Sequence, residues 1–95
     1  MVNLIWTELA LADLGQIHEY IARDSRHYAG RQIEKIIKKV ERLKIQPMSG
    51  RIVPEFSDVN VRELNEGNYR IIYKVKIEIV FIARIHHSAR LLNEL

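Results

Sequence analysis

The sequence predicts an α+β fold: an N-terminal strand, an antiparallel helical hairpin, then a three-stranded antiparallel meander, with the helices packed on one sheet face. Three observations predict it. Two amphipathic stretches with helix caps fill residues 7–43, the hydrophobic period drops to two from Val59 onward, and the β-runs beyond it are joined by connections too short to cross over. A length of 95 residues fits a single domain, 1–95, because a chain of this size holds one core. Its 47% hydrophobic and 28% charged residues are the balance of a folding chain, not of a disordered tail. With no cysteine there is no disulfide staple, thiolate nucleophile or cysteine-type zinc site. No basic stretch precedes an apolar run near Met1, and no run is long enough to span a bilayer. The expectation is a soluble, cytoplasmic chain whose small core makes a stabilising partner important.

The elements follow in order. Val2 to Trp6 is a short branched, apolar run closed by an aromatic, which reads as a strand. Thr7 stands as an N-cap with Glu8 in the first turn, and Ala10, Leu14, Ile17 and Ile21 recur at helical spacing to about Arg23. Gly15 within this helix costs propensity and suggests close approach to a neighbouring element. Ser25 caps a second helix with the apolar stripe Ile33, Ile36, Ile37, Val40 and Leu43, and Arg31, Lys35, Lys38 and Arg42 fall opposite it. Pro47 ends that helix, and Met48 to about Asp58 reads as a loop.

Strands are expected at Val59–Asn65, Asn68–Val75 and Ile77–Ile85, with turns at Glu66-Gly67 and Lys76. Tyr69, Ile71, Tyr73 and Val75 share one face, and Ile77, Ile79, Phe81, Ala83 and Ile85 share one in the last strand; both are expected in the core. The other face carries Arg70, Ile72 and Lys74, then Glu78, Val80, Ile82 and Arg84. A half-apolar face with cations at its edges is a candidate interaction surface. A two-residue turn at Glu66-Gly67 sets Glu63 directly opposite Arg70, and an arginine so paired is suited to positioning more than to clamping a phosphate.

The charge is uneven. Residues 26–46 carry seven Lys or Arg against two Glu, a net +5, while residues 1–25 carry four acids against Arg23 alone. Such a segment is either a solvated helix face or an electrostatic contact for an acidic partner or a phosphate backbone. No Gly-rich phosphate loop, serine elbow or metal-spaced carboxylate set is present, so no cofactor is called for. The one dense constellation is Arg84, His86, His87 and Arg90 with Arg62 and Arg70 on the preceding strands. Adjacent histidines on a strand point to opposite faces, which disfavours a shared metal. A histidine among arginines has the chemistry for acid–base cleavage of RNA; the alternative is a set of strand-end surface residues.

The segments I-W-T-E-L-A-L-A-D-L with Y-I-A-R-D-S, then P-M-S-G-R-I-V-P-E, V-R-E-L-N-E-G-N-Y-R-I-I-Y-K-V and I-H-H-S-A-R resemble, in this order, the RelE/ParE family of type II toxin-antitoxin toxins. The resemblance covers nearly the whole chain. It implies a growth inhibitor encoded beside a cognate antitoxin, whose acidic or amphipathic C-terminal segment wraps and silences the toxin, alone or in a higher-order toxin-antitoxin complex. RelE-like members cut mRNA on the ribosome with cations on the strand before the N-Y-R-like segment and a C-terminal tyrosine or histidine. The matching strand positions here are Val61, Glu63 and Asn65, which are not cations, and no tyrosine follows Tyr73. Arg70 matches an arginine shared by nuclease and ParE-like members alike. Glu55, Arg70 and His86 match the Glu, Arg and His of YoeB-like enzymes, but His87 stands where their tyrosine would be. P-x-x-G-R-x-V-P-E and V-R-E-L are closer to ParE-like toxins, which act on DNA gyrase, serve in plasmid stabilisation and have no recognised catalytic residues.

Two functions are therefore carried forward: a binding inhibitor of gyrase, which the resemblance favours, and a ribosome-dependent mRNA endoribonuclease. Arg62, Arg70, Ile82, Arg84, His86, His87 and Arg90 are the candidate contacts to target or antitoxin, with Glu55, Arg70 and His86 the catalytic candidates under the second reading. The run from His86 to Leu95 either packs on the core or joins the target-binding surface.

Overall fold

A computed structural model of the chain describes residues 1–88. Strand β1 (Asn3–Trp6) leads into helices α1 (Glu8–Ala22) and α2 (Arg26–Glu41) and one 3₁₀ turn (Arg42–Lys44); β2 (Arg51–Ile52), β3 (Val61–Glu66), β4 (Tyr69–Lys76) and β5 (Ile79–His87) follow. The strands form one sheet in the order β1-β5-β4-β3-β2. All neighbours are antiparallel except β1, which lies parallel to β5 with Asn3 beside Ile79.

Both helices start where their caps require. Thr7 Oγ1 accepts from the Ala10 N–H at 3.1 Å and donates to the Ile82 carbonyl at 2.8 Å, so the cap of α1 is also a tie to β5. Ser25 Oγ accepts from the Tyr28 N–H. The second helix stops at Glu41, short of Pro47, because its last turn tightens into the 3₁₀ form while Leu43 stays buried. The hairpin lies on one sheet face, and Ala10, Ile17, Ile36, Val40 and Leu43 close over Tyr69, Ile71, Tyr73, Val80, Ile82 and Ile85. Each fully buried aliphatic side chain here contributes about 1.5–3 kcal/mol. Ile37, expected in that stripe, is 40% exposed. A Cβ at Gly15 would meet nothing within 4 Å, so no close approach explains that glycine.

The strand register departs from expectation in three places. The first hairpin turns at Gly67-Asn68, with Glu66 opposite Tyr69; Gly67 has φ +59°, and glycine as the first central residue is what a type II′ hairpin asks for. The second turns at Ile77-Glu78, since Lys76 pairs with Ile79 and Glu78 takes φ +63°. The third departure is a bulge in β5. Ile72 pairs with Arg84 but Tyr73 with Ile82, leaving Ala83 as the extra residue. One inserted residue reverses the parity of the strand. Val80 and Ile82, expected on the open face, are fully buried beneath the helices, whereas Ile79 and Phe81 are only partly covered.

The far face is not bare either. The loop after α2 adds β2 to the edge of β3, a short strand that no periodicity announced, and then packs Val53 and Phe56 on Val61 and Ile72. Among the described residues no helix is long and apolar enough to cross a membrane.

Candidate functional site: an arginine between two carboxylates

The far-face loop delivers the site. Gly50 approaches the sheet so closely that a Cβ there would lie 2.5 Å from both the Glu63 carbonyl and the Tyr73 hydroxyl. Its N–H donates to Tyr73 Oη at 2.9 Å and its carbonyl accepts from Arg62 Nη1 at 2.8 Å. With the loop pinned at Gly50, Arg51 reaches Glu63, Val53 fills the small far-face core, and Glu55 arrives over β4. This is the physical content of the G-R-I-V-P-E run.

Arg70 is held from both sides. Glu55 takes Nη1 at 2.7 Å and Nη2 at 2.9 Å, while Glu63 takes Nε at 2.9 Å and Nη2 at 2.7 Å. These bonds occupy four of the five N–H donors that a guanidinium offers. The Glu63 side chain is 0% exposed, and it also accepts from Arg51 Nη2 at 3.2 Å. Hydrogen bonds from Arg70 to Glu55, then to Glu63, hold its charged form far more firmly than usual. Glu63 does pair with Arg70, though diagonally: Ile72 is its direct partner across the ladder, and long side chains span the diagonal. Two arginines and two glutamates leave the cluster formally neutral, so an incoming phosphate would have to displace a carboxylate to reach Arg70. Arg51, Glu55 and Arg70 line a shallow cleft of about 350 Å³ with Pro54, Asn65 and Ser88.

The remaining candidates separate around this cluster. His86 lies beside Arg70 in the ladder, half-buried on the same far face. His87 lies beside Tyr69 on the helix side, their rings edge-to-face at 5.5 Å. There it borders a groove of about 560 Å³ with Ile17, Tyr20 and Arg23. Arg84 turns to α1, where the Asp13 carboxylate accepts from its Nε at 2.8 Å and its Nη2 at 3.0 Å. Arg62 binds the carbonyls of Val59 and Gly50 and so serves the loop. Ile82 is a core residue that no partner of the folded chain can touch. Arg90 and the run beyond Ser88 lie outside the described residues.

Sequence reasoning missed Asp13 and Gly50. Asp13 had a signal, since it falls three residues after Ala10 and four before Ile17, inside the apolar stripe of α1.

A helical hairpin covering one face of a five-stranded mixed sheet is the architecture of ParE- and YoeB-type toxins. Residues 4–92 match the family described as the ParE toxin of the type II toxin-antitoxin system, parDE. Toxin RelE2 of Caulobacter vibrioides is 36% identical over 92 residues, which is 96% of this chain and 100% of that protein. A chain of the chromosomal ParDE toxin-antitoxin system from P. aeruginosa superposes with a TM-score of 0.74 at 26% identity, over 92% of this chain and 96% of its own. The YoeB/ParE toxin from Agrobacterium tumefaciens shares the fold, with a TM-score of 0.63 at 16% identity, over 90% of this chain and 98% of its own. The chain belongs to the ParE toxin family and is a toxin of a type II toxin-antitoxin system.

Proposed function

We propose that this toxin arrests growth by binding DNA gyrase in the cytoplasm, as a single domain over residues 1–95 that a cognate antitoxin neutralises. The observation that carries the reading is the closure of Arg70 by Glu55 and Glu63. A nuclease stabilises developing charge with donors aimed at the phosphate, whereas these donors are already spent on carboxylates. Gyrase is the target that the resemblance to ParE-like toxins implies, and the ParE family match and the ParDE relative support that branch of the family. The antitoxin draws support from that relative and from the toxin-antitoxin complex RelBE2 of Mycobacterium tuberculosis, which shares the fold at a TM-score of 0.58.

The ribonuclease alternative keeps one specific observation, the placement of His86 beside Arg70 with Glu55 in the same cluster. Purified toxin separates the two. Added to gyrase with plasmid DNA, it should block supercoiling and accumulate cleaved gyrase–DNA complexes; added to ribosomes carrying mRNA, it should leave the message whole. Cut message that is spared by His86→Ala, with gyrase unaffected, would establish the nuclease reading instead.

A further inference from the structure

The net +5 of residues 26–46 takes a definite form on α2 and the first residue of the 3₁₀ turn that continues it. Arg31, Lys35, Lys38 and Arg42 succeed one another at intervals of four, three and four residues, so they fall within roughly 60° of helix arc in a row about 16 Å long. All four are exposed, and the row runs opposite Ala29, Ile36, Val40 and Leu43, which are fully buried. Six other cations are engaged within the fold, whereas Arg23, Arg26, Lys74 and Lys76 lie apart from the row. Lys44, Arg51, Arg70 and Arg84 sit in ion pairs, and Lys39 and Arg62 bind backbone carbonyls. Among the described residues, none of the four cations in the row has an ion pair or side-chain hydrogen bond. The helix dipole favours Lys38 and Arg42 at the C-terminal end, and the exposed Glu34 and Glu41 flank the row without an ion pair to it, but neither accounts for Arg31 and Lys35 standing in line with them.

We infer that the outer face of α2 docks on a nucleic-acid backbone, holding its phosphates without reading its bases. A duplex presents one phosphate per about 3.4 Å of each strand, a repeated charge that a straight row of cations can follow. An acidic protein surface would instead require an apolar centre to anchor on. The row has none at its middle; its aromatic neighbours His27 and Tyr28, edge-to-face at 5.6 Å, stand at one end, where an unpaired base could stack. The inference goes beyond the proposed target, since gyrase and the ribosome both work with nucleic acid bound, and it holds whichever of them is inhibited.

The test is fluorescence anisotropy of the full chain with a labelled 20-base-pair DNA duplex and an RNA hairpin of equal length, at 50 and 200 mM salt. Binding to either probe is expected, weakening about 100-fold between the two salts if four phosphates are engaged. Lys35→Gln/Lys38→Gln should roughly halve the salt slope, and adding Arg31→Gln and Arg42→Gln should abolish binding. The melting temperature should not move, because the four side chains face away from the core. Lys74→Gln/Lys76→Gln removes the same charge from the sheet and should change affinity far less. An equal effect from the two double variants, no binding at 50 mM salt, or a polyglutamate chain that binds more tightly than either nucleic acid would overturn the proposal, the last in favour of an acidic protein partner.

Discussion

Removing the Arg70 guanidinium would leave the Glu63 carboxylate without solvent and with only the exposed Arg51 beside it. Breaking a buried pair from one side costs about 3–5 kcal/mol, so Arg70→Ala should lower stability by that order in urea unfolding. Arg70→Lys should fall between, because an ammonium cannot span two carboxylates with parallel bonds. Glu55→Gln should cost only about 1 kcal/mol, since the Glu55 side chain is 27% exposed and water can replace what is lost. Loss of toxicity in Arg70→Ala therefore speaks to mechanism only when the folded fraction is measured with it. Two tyrosines set an alkaline limit. Burial raises the phenol pKa of Tyr73 and Tyr69 above the ordinary 10.0. Their contribution is complete below pH 10, where both states hold the proton; it is lost as the pH rises through the folded values, because the unfolded chain ionises first. The melting temperature should accordingly fall above about pH 10, and Tyr69→Phe should flatten that fall.

Strand β5 shows how far a local rule reaches. Its apolar alternation reads from the sequence as one continuous face, yet the extra residue at Ala83 exchanges the faces of everything before it, and no residue type marks the spot. The contacts around the bulge are long-range, and at Ala83 itself Thr7 Oγ1 donates to the carbonyl at 3.1 Å. Asp13 on α1 accepts the Ile85 N–H at 2.9 Å together with the Arg84 guanidinium, contacts about 70 residues apart that only the folded hairpin brings together. Asp13→Ala should cost about 2–3 kcal/mol and shift the NMR signals of both His86 and His87, three and four residues beyond the bulge; a variant that leaves both unmoved would show that Asp13 does not set that register. The helix caps were legible because a cap is a local event, as Thr7 and Ser25 demonstrate. The first hairpin was legible only to within a residue, because Glu66-Gly67 and Gly67-Asn68 both fit a two-residue turn. The diagonal reach of Arg70 and Glu63 rescued their pairing from the shifted register. The clamp by Glu55 could not be read, since it depends on a loop whose path is set by contacts at Gly50. The two glycines should respond in opposite ways: Gly15→Ala should stabilise by about 0.5–1 kcal/mol on an open helix face, and Gly50→Ala should destabilise by forcing the loop off Tyr73 and Glu63.

At the scale of the molecule, one core under the helices and a smaller one under the loop share the same sheet. Urea should therefore unfold the chain in one cooperative transition, by fluorescence of Trp6 and by circular dichroism alike. An antitoxin that binds only the folded toxin should raise the melting temperature by several degrees when in excess, and equal melting with and without the adjacent gene's product would exclude that product as the partner. The sheet joins distant parts of the sequence: among the described residues β1 has a single neighbour, β5, and Asn3 lies beside Ile79, 76 residues later. During synthesis Asn3–Trp6 has nothing to pair with until Ile79–Ile82 has been made, a wait of roughly 4–15 s at ordinary elongation rates. A growing chain can therefore hold its helical hairpin and pair β2, β3 and β4 before β1 has a place to dock, and the sheet closes only once β5 is made.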